Sequence, residues 1–158
     1  MTEHQDEKLM QRAIQLSLEN VEREGGPFAA LVVRDGEIIA EGVNNVTLNN
    51  DPTAHAEINA IRIASRKLGT FDLSGCILYS SCEPCPMCLG AIYWARISRV
   101  CFGNTREDAQ EYGFDDSQIY KQIDLPLDKR EIQFKRLLAP QALQAFRNWE
   151  EKEDKTRY

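Results

Sequence analysis

Two short motifs restrict what this chain can fold into more than any other feature. One is His55-Ala56-Glu57 and the other is Pro84-Cys85-Pro86-Met87-Cys88. Each reads as the opening of a helix, with a proline just ahead of an apolar run. Cysteines three apart on a helix share a face, so both sulfurs can reach one ion. A helix N-terminus favours the thiolate, which is the form that binds metal. If His55 joins the cysteines, two helix N-termini from separate parts of the chain are pinned to one point.

Imidazole and thiolate suit a borderline-soft ion such as Zn²⁺ better than Mg²⁺ or Ca²⁺. Structural zinc sites usually have four protein ligands, and catalytic ones have three and an open position. The chain has two histidines, and His4 lies in a charged terminal stretch. His55, Cys85 and Cys88 therefore form a three-ligand set with a place for water, whose pKa zinc lowers towards ~7. Glu57 stands close enough to His55 to shuttle a proton without binding the metal. Taken singly, the parts keep other readings. A Cys-x-x-Cys opening a helix also serves as a thiol redox pair, and a lone histidine is often structural.

Around the motifs the pattern is layered α/β. A helix is expected from about Asp6 to Arg23, with Leu9, Ala13, Leu16 and Val21 near helical spacing. Phe28–Val33 and Glu37–Val43 read as strands joined by the Asp35-Gly36 turn. A polar loop follows from Asn44 to Asp51, then a helix from Pro52-Thr53 to about Leu68. Cys76–Ser80 and Val100–Phe102 read as strands. Between them, Pro84–Ile97 is a helix apolar nearly all round, which predicts that it is buried. A further strand near Ile132–Phe134 and a helix from Pro140 to about Lys152 complete a mixed sheet of about five strands.

The charge balance excludes some partners. Nineteen Lys and Arg stand against 25 Asp and Glu, a net of −6, and the basic residues sit mostly beside acidic ones. Such a chain is poorly suited to phosphate backbones or anionic membrane surfaces. No basic-then-apolar run opens the sequence and no membrane-length apolar segment occurs. Five cysteines and no export signal suggest a reducing, cytoplasmic setting, with Cys76, Cys82 and Cys101 as small buried groups.

The combination H-x-E with P-C-x-x-C is the signature of zinc nucleobase deaminases. The chain resembles the cytidine and deoxycytidylate deaminase superfamily. Asn44, the run Asp51 to Glu57, the run Ser81 to Ala95, Gly113-Phe114-Asp115-Asp116 and the terminal Tyr158 are similar to its bacterial guanine-deaminase branch. The resemblance implies a three-layer helix-sheet-helix cytidine-deaminase-like fold and one Zn²⁺ per chain. It implies hydrolysis of guanine to xanthine and ammonia, with Glu57 carrying the proton from a zinc-activated water. Asn44 and Asp116 would hydrogen-bond the purine, Phe28 would pack on its ring, and the Ala56 N–H would help bind it. Members of the branch are similar in forming homodimers that exchange C-terminal segments. On that likeness, residues 1–158 form one deaminase domain, 150–158 a swapped segment, and Tyr158 a cover for the neighbour's pocket.

From the residues alone several of these positions keep plainer roles. Asn44 also suits a turn, Asp116 a helix cap, Phe28 a core, and Tyr158 a frayed end. The competing activities are deamination of another small aminated heterocycle or a purine nucleoside, and tRNA adenosine deamination. A metal-stabilised interaction domain is a further alternative, though it would have no need of Glu57.

Overall fold

The computed structural model describes residues 2–158. Thr2 caps a long helix, α1 (Glu3–Glu22), its hydroxyl accepting from the Gln5 N–H while the Gln5 side chain returns the bond. Strand β1 (Ala29–Arg34) turns at Asp35-Gly36 into β2 (Glu37–Val43), as an antiparallel hairpin. A short helix, α2 (Val46–Asn49), lies in the region expected to be only a loop. Helix α3 (Ala56–Leu68) leads to β3 (Ile77–Cys82), α4 (Pro86–Trp94) and β4 (Arg99–Asn104). Helix α5 (Arg106–Glu111) follows, then α6 (Ser117–Asp124), a 3-10 turn at Leu127–Lys129 and α7 (Ala139–Glu151).

The sheet has four strands in the order β2-β1-β3-β4. Strand β1 runs antiparallel to β2 and β3, and β4 is parallel to β3. The connection through α4 permits that parallel pairing, as a crossover helix does. β1 is buried on both faces, and its alternation divides the core. Ala29, Leu31 and Val33 meet Ala13 and Leu16 of α1, while Ala30 and Val32 meet Ala56, Ala60 and Ala64 of α3. Helix, sheet and helix thus form three layers.

The small residues of α3 set its approach to the sheet. A Cβ built on Gly42 would stand 2.3 Å from the Ala56 carbonyl oxygen and 2.4 Å from the Ala60 nitrogen. Only glycine lets β2 and the first turns of α3 come this close.

Three expectations need correction. The fifth strand does not form: Ile132 and Phe134 carry an alternating pattern but lie exposed between charged pairs, with no ladder partner. Val21 is exposed, and the core-facing stripe of α1 is Ala13, Leu16, Ser17 and Asn20. Helix α4 is not buried all round: Cys88 and Ile92 point inward, while Tyr93 is 76% and Trp94 69% exposed. Its hydrophobicity exceeds what the described chain covers.

The chain divides into two compact units, residues 1–116 and 117–158. The first holds the sheet and every buried side chain among the described residues; from 117 to 158 none is buried. No helix among the described residues is long and apolar enough to cross a membrane.

Candidate metal centre and active site

His55 and Cys85 are the N-cap residues of α3 and α4, both in extended conformation and neither making a side-chain cap bond. Their side chains are therefore free of the usual capping duty. His55 Nδ1 lies 3.5 Å from Cys85 Sγ and 3.6 Å from Cys88 Sγ. The three donor atoms all fall within 4.8 Å of one another. Tetrahedral zinc, with Zn–S ~2.3 Å and Zn–N ~2.0 Å, places sulfur and nitrogen ~3.6 Å apart. The donor set fits zinc in chemistry and in size.

The protonation pattern is that of ligands competing for one cation. Cys88 offers its proton to Cys85, which lowers the Cys85 pKa to about 4 and pushes the Cys88 thiol up. The interaction with Cys85 raises the pKa of half-buried His55. A cation held by both sulfurs replaces that shared proton, and the positive ends of α3 and α4 favour both thiolates.

Glu57 occupies the first turn of α3 and is only 6% exposed. Burial raises its pKa, as expected for a carboxyl drawn out of water, and the neighbouring Cys88 partly opposes that rise. It is thus beside the ligand set without belonging to it. Cys82 ends β3 and Cys76 precedes it, both buried, and neither joins the cluster. Desolvation lifts Cys82 to about 11, the behaviour of an inert thiol.

The other expected residues divide into two groups. Asn44 is buried at the exit of β2, and its Oδ1 accepts from the Val46 N–H at 3.3 Å. Ala56 is the first residue of α3, where an N–H has no partner within the helix. Phe28 stands just before β1, beside the exit of β2, its carbonyl accepting from the Asn44 N–H at 3.0 Å. Asp116 is half-buried; desolvation raises its pKa first, and the negative Cys85 adds to that, which puts it within electrostatic reach of the ligands. Tyr158 belongs to the second unit and is 74% exposed. There Arg157 pairs with Glu150 at 2.9 Å and lies over the Trp149 ring, holding the last residues against the end of α7.

One neighbour was not singled out by the sequence reading. Phe114 meets Phe28 edge-on, with ring centroids 4.9 Å apart. It lies in the Gly-Phe-Asp-Asp phrase, but an aromatic after a glycine turn carries no signal of what it will pack against.

The comparisons with known proteins extend these observations. The model of the cytidine and deoxycytidylate deaminase zinc-binding region matches residues 3–104, from α1 through β4. The guanine deaminase of Bacillus subtilis (strain 168) is 53% identical over 96% of this chain and 98% of its own. The crystal structure of a guanine deaminase from Bacillus subtilis aligns with a TM-score of 0.94 and 52% identity, covering 100% of this chain and 99% of that one. A tRNA-specific adenosine deaminase of Buchnera aphidicola subsp. Schizaphis graminum is 35% identical over 86% of this chain and 87% of its own. Because the matched region contains both ligand motifs and the whole sheet that carries them, the chain belongs to the zinc-binding family of cytidine and deoxycytidylate deaminases.

Proposed function

We propose that this protein hydrolyses guanine to xanthine and ammonia. The observation that carries hydrolytic deamination is a buried carboxyl, Glu57, set beside a three-ligand zinc site. The choice of guanine rests on the end-to-end likeness to a guanine deaminase, closer than that to the tRNA enzyme.

When bound, zinc supplies the Lewis acidity that brings the pKa of water towards ~7. Glu57 takes a proton from the attacking water and passes it to the substrate. Its raised pKa suits a group that must hold that proton for part of the cycle. The water oxygen bonds to C2, the bond from C2 to the exocyclic nitrogen breaks, and ammonia leaves with the transferred proton. Asn44, Asp116 and the Ala56 N–H orient the base. Because the Asn44 oxygen is engaged by Val46, its amide nitrogen is the group left to face an acceptor such as O6 or N7. Asp116 as a carboxylate accepts from the N1–H and 2-amino edge. Phe28, braced by Phe114, packs on the ring.

The reading takes residues 1–158 as one deaminase domain that works as a homodimer in the cytoplasm. Two features support a second copy: the exposed apolar face of α4, and a C-terminal unit whose Ile132, Leu138 and Phe146 are all at least 71% exposed. The segment 150–158 would cross to the partner and bring Tyr158 over its pocket. Five free cysteines agree with a reducing compartment.

Ammonia release measured over guanine, guanosine, adenine, cytosine and a simple triazine tests the assignment. Guanine is expected to lead, and a nucleoside or triazine leading instead would transfer the site to another heterocycle. The tRNA alternative needs a basic face, which a net charge of −6 disfavours. Retardation of tRNA in a gel at physiological salt would revive it.

A further inference from the structure

We infer that Asn20 is a positioning residue for the base site: buried under α1, it fixes the backbone from which Asn44 and Phe28 are presented. The inference rests on the guanine-binding roles proposed above.

Asn20 occupies the core stripe of α1, where an apolar residue would be expected, and is 3% exposed. Its side-chain Nδ2 donates to two carbonyl oxygens, those of Gly26 and Asn44, each at 2.8 Å. Its own carbonyl accepts from the Gly25 N–H at 2.9 Å. The Asn44 carbonyl receives a second donor, the Gly26 N–H at 3.3 Å, and the Asn44 N–H donates to Phe28. One buried amide therefore ties α1 to the entry of β1 and the exit of β2, the two strand ends that carry Phe28 and Asn44.

The loop is shaped around this amide. A Cβ on Gly25 would lie 2.3 Å from Asn20 Nδ2, and one on Gly26 would lie 2.7 Å from Asn44 Oδ1. On the opposite face Asn59 of α3 donates Nδ2 to the Val43 carbonyl at 2.9 Å. The peptides on either side of Asn44 are thus held one from each helix layer, the first by Asn59 and the second by Asn20. A binding group loses its value when misplaced by more than ~0.5 Å, so its support bears on affinity directly. If Asn20 is removed each carbonyl keeps one backbone donor, the Phe28 N–H for Gly26 at 2.8 Å and the Gly26 N–H for Asn44 at 3.3 Å, but the tie of both to α1 is lost.

The test uses full-length, zinc-loaded protein and steady-state ammonia release from guanine. Asn20→Ala is expected to raise KM at least ~10-fold while kcat stays within ~3-fold and zinc remains at one per chain, because Asn44 holds the base in ground and transition state alike. Leu16→Ala, one turn away on α1, removes core packing without touching the loop and is expected to leave KM unchanged. In a cycle with Asn44→Ala, the double variant should lose clearly less than the product of the two single effects, the remaining loss reporting the share that acts through Phe28. Should Asn20→Ala not accumulate as folded protein, Asn20→Ser, whose hydroxyl leaves room for water, gives the same comparison. An unchanged KM, an equal rise in Leu16→Ala, or fully multiplicative effects in the cycle would overturn the inference. If Asn44→Ala itself leaves KM for guanine unchanged, the base-site reading fails and this inference with it. A rise in Asn44→Ala with none in Asn20→Ala overturns the positioning role alone.

Discussion

The role proposed for Glu57 sets two requirements: the carboxyl must be near enough to the metal to move its protons, yet must not become a fourth ligand. The first turn of α3 meets both, since His55 is its N-cap and Glu57 points from the next positions into a buried space. Glu57→Gln keeps the shape and loses the proton carrier. It should retain one zinc per chain while kcat falls ~10²–10⁴-fold, read by ammonia release and elemental analysis. Base selection is the second residue-scale test. Adenine lacks the N1–H that Asp116 would accept, and Asp116 is only half-buried, so the penalty is moderate. Ammonia release from adenine should be at least ~100-fold slower than from guanine, a difference of ~2.7 kcal/mol; comparable rates would remove Asp116 from the base site. The cluster of His55, Cys85 and Cys88 was legible in the sequence because metal chemistry restricts ligand type and spacing together. Asn20 was not, because the helical pattern is read from apolar residues and passes over a polar one in the core stripe. Val21 beside it fits the apolar spacing but is exposed.

Helices and strands fare similarly, with success where pattern and turn chemistry agree. The β1–β2 hairpin was readable from Asp35-Gly36, and α3 and α4 from their motifs. The strand expected at Ile132–Phe134 failed because alternation alone does not supply a pairing edge. Helix α4 failed differently: an all-round apolar composition reads as full burial, yet only Cys88 and Ile92 face the core and Tyr93 and Trp94 stay exposed. Two predictions belong to this scale. Gly42→Ala would drive a methyl into the backbone of α3, the helix that carries His55 and Glu57. It should destabilise the fold by ~1–3 kcal/mol or more and weaken zinc retention at the same time, measured by thermal melts with and without chelator. The second concerns the anchor of α1. Arg99 donates to both Asp6 oxygens at 2.8 and 2.7 Å, and the Tyr79 hydroxyl also donates to Asp6. The Arg99 bond first, then that from Tyr79, lowers the Asp6 pKa from 3.8 to about 2. A carboxyl depressed in the folded state stabilises above its unfolded pKa and loses that contribution as pH falls through the folded one. Asp6→Asn should therefore melt below the parent protein at neutral pH, with the gap closing between pH 3.8 and about 2. A constant gap across that window would show that Asp6 acts by shape alone.

For the whole molecule, the sheet and zinc site account for the first unit, while the C-terminal unit has no buried residue, and the proposed partner subunit would cover it. Beyond the end of α7 at Glu151, an extended chain to Tyr158 reaches up to ~24 Å, the span available for the proposed crossing to a neighbouring subunit. Deleting Thr156 to Tyr158 should keep zinc but raise KM or lower kcat at least ~10-fold, and sedimentation at micromolar concentration should show a dimer. Unchanged kinetics would make the tail ordinary surface, and a monomer would remove the exchange. None of this was readable from periodicity, because residues 150–157 carry none; it entered only through likeness to a family. The central claim concerns chemistry, and its most direct measurement is the yield of ammonia and xanthine when protein carrying one zinc per chain is mixed with free guanine. The account predicts one ammonia and one xanthine for each guanine consumed. Guanine left intact by protein with its zinc in place would contradict it.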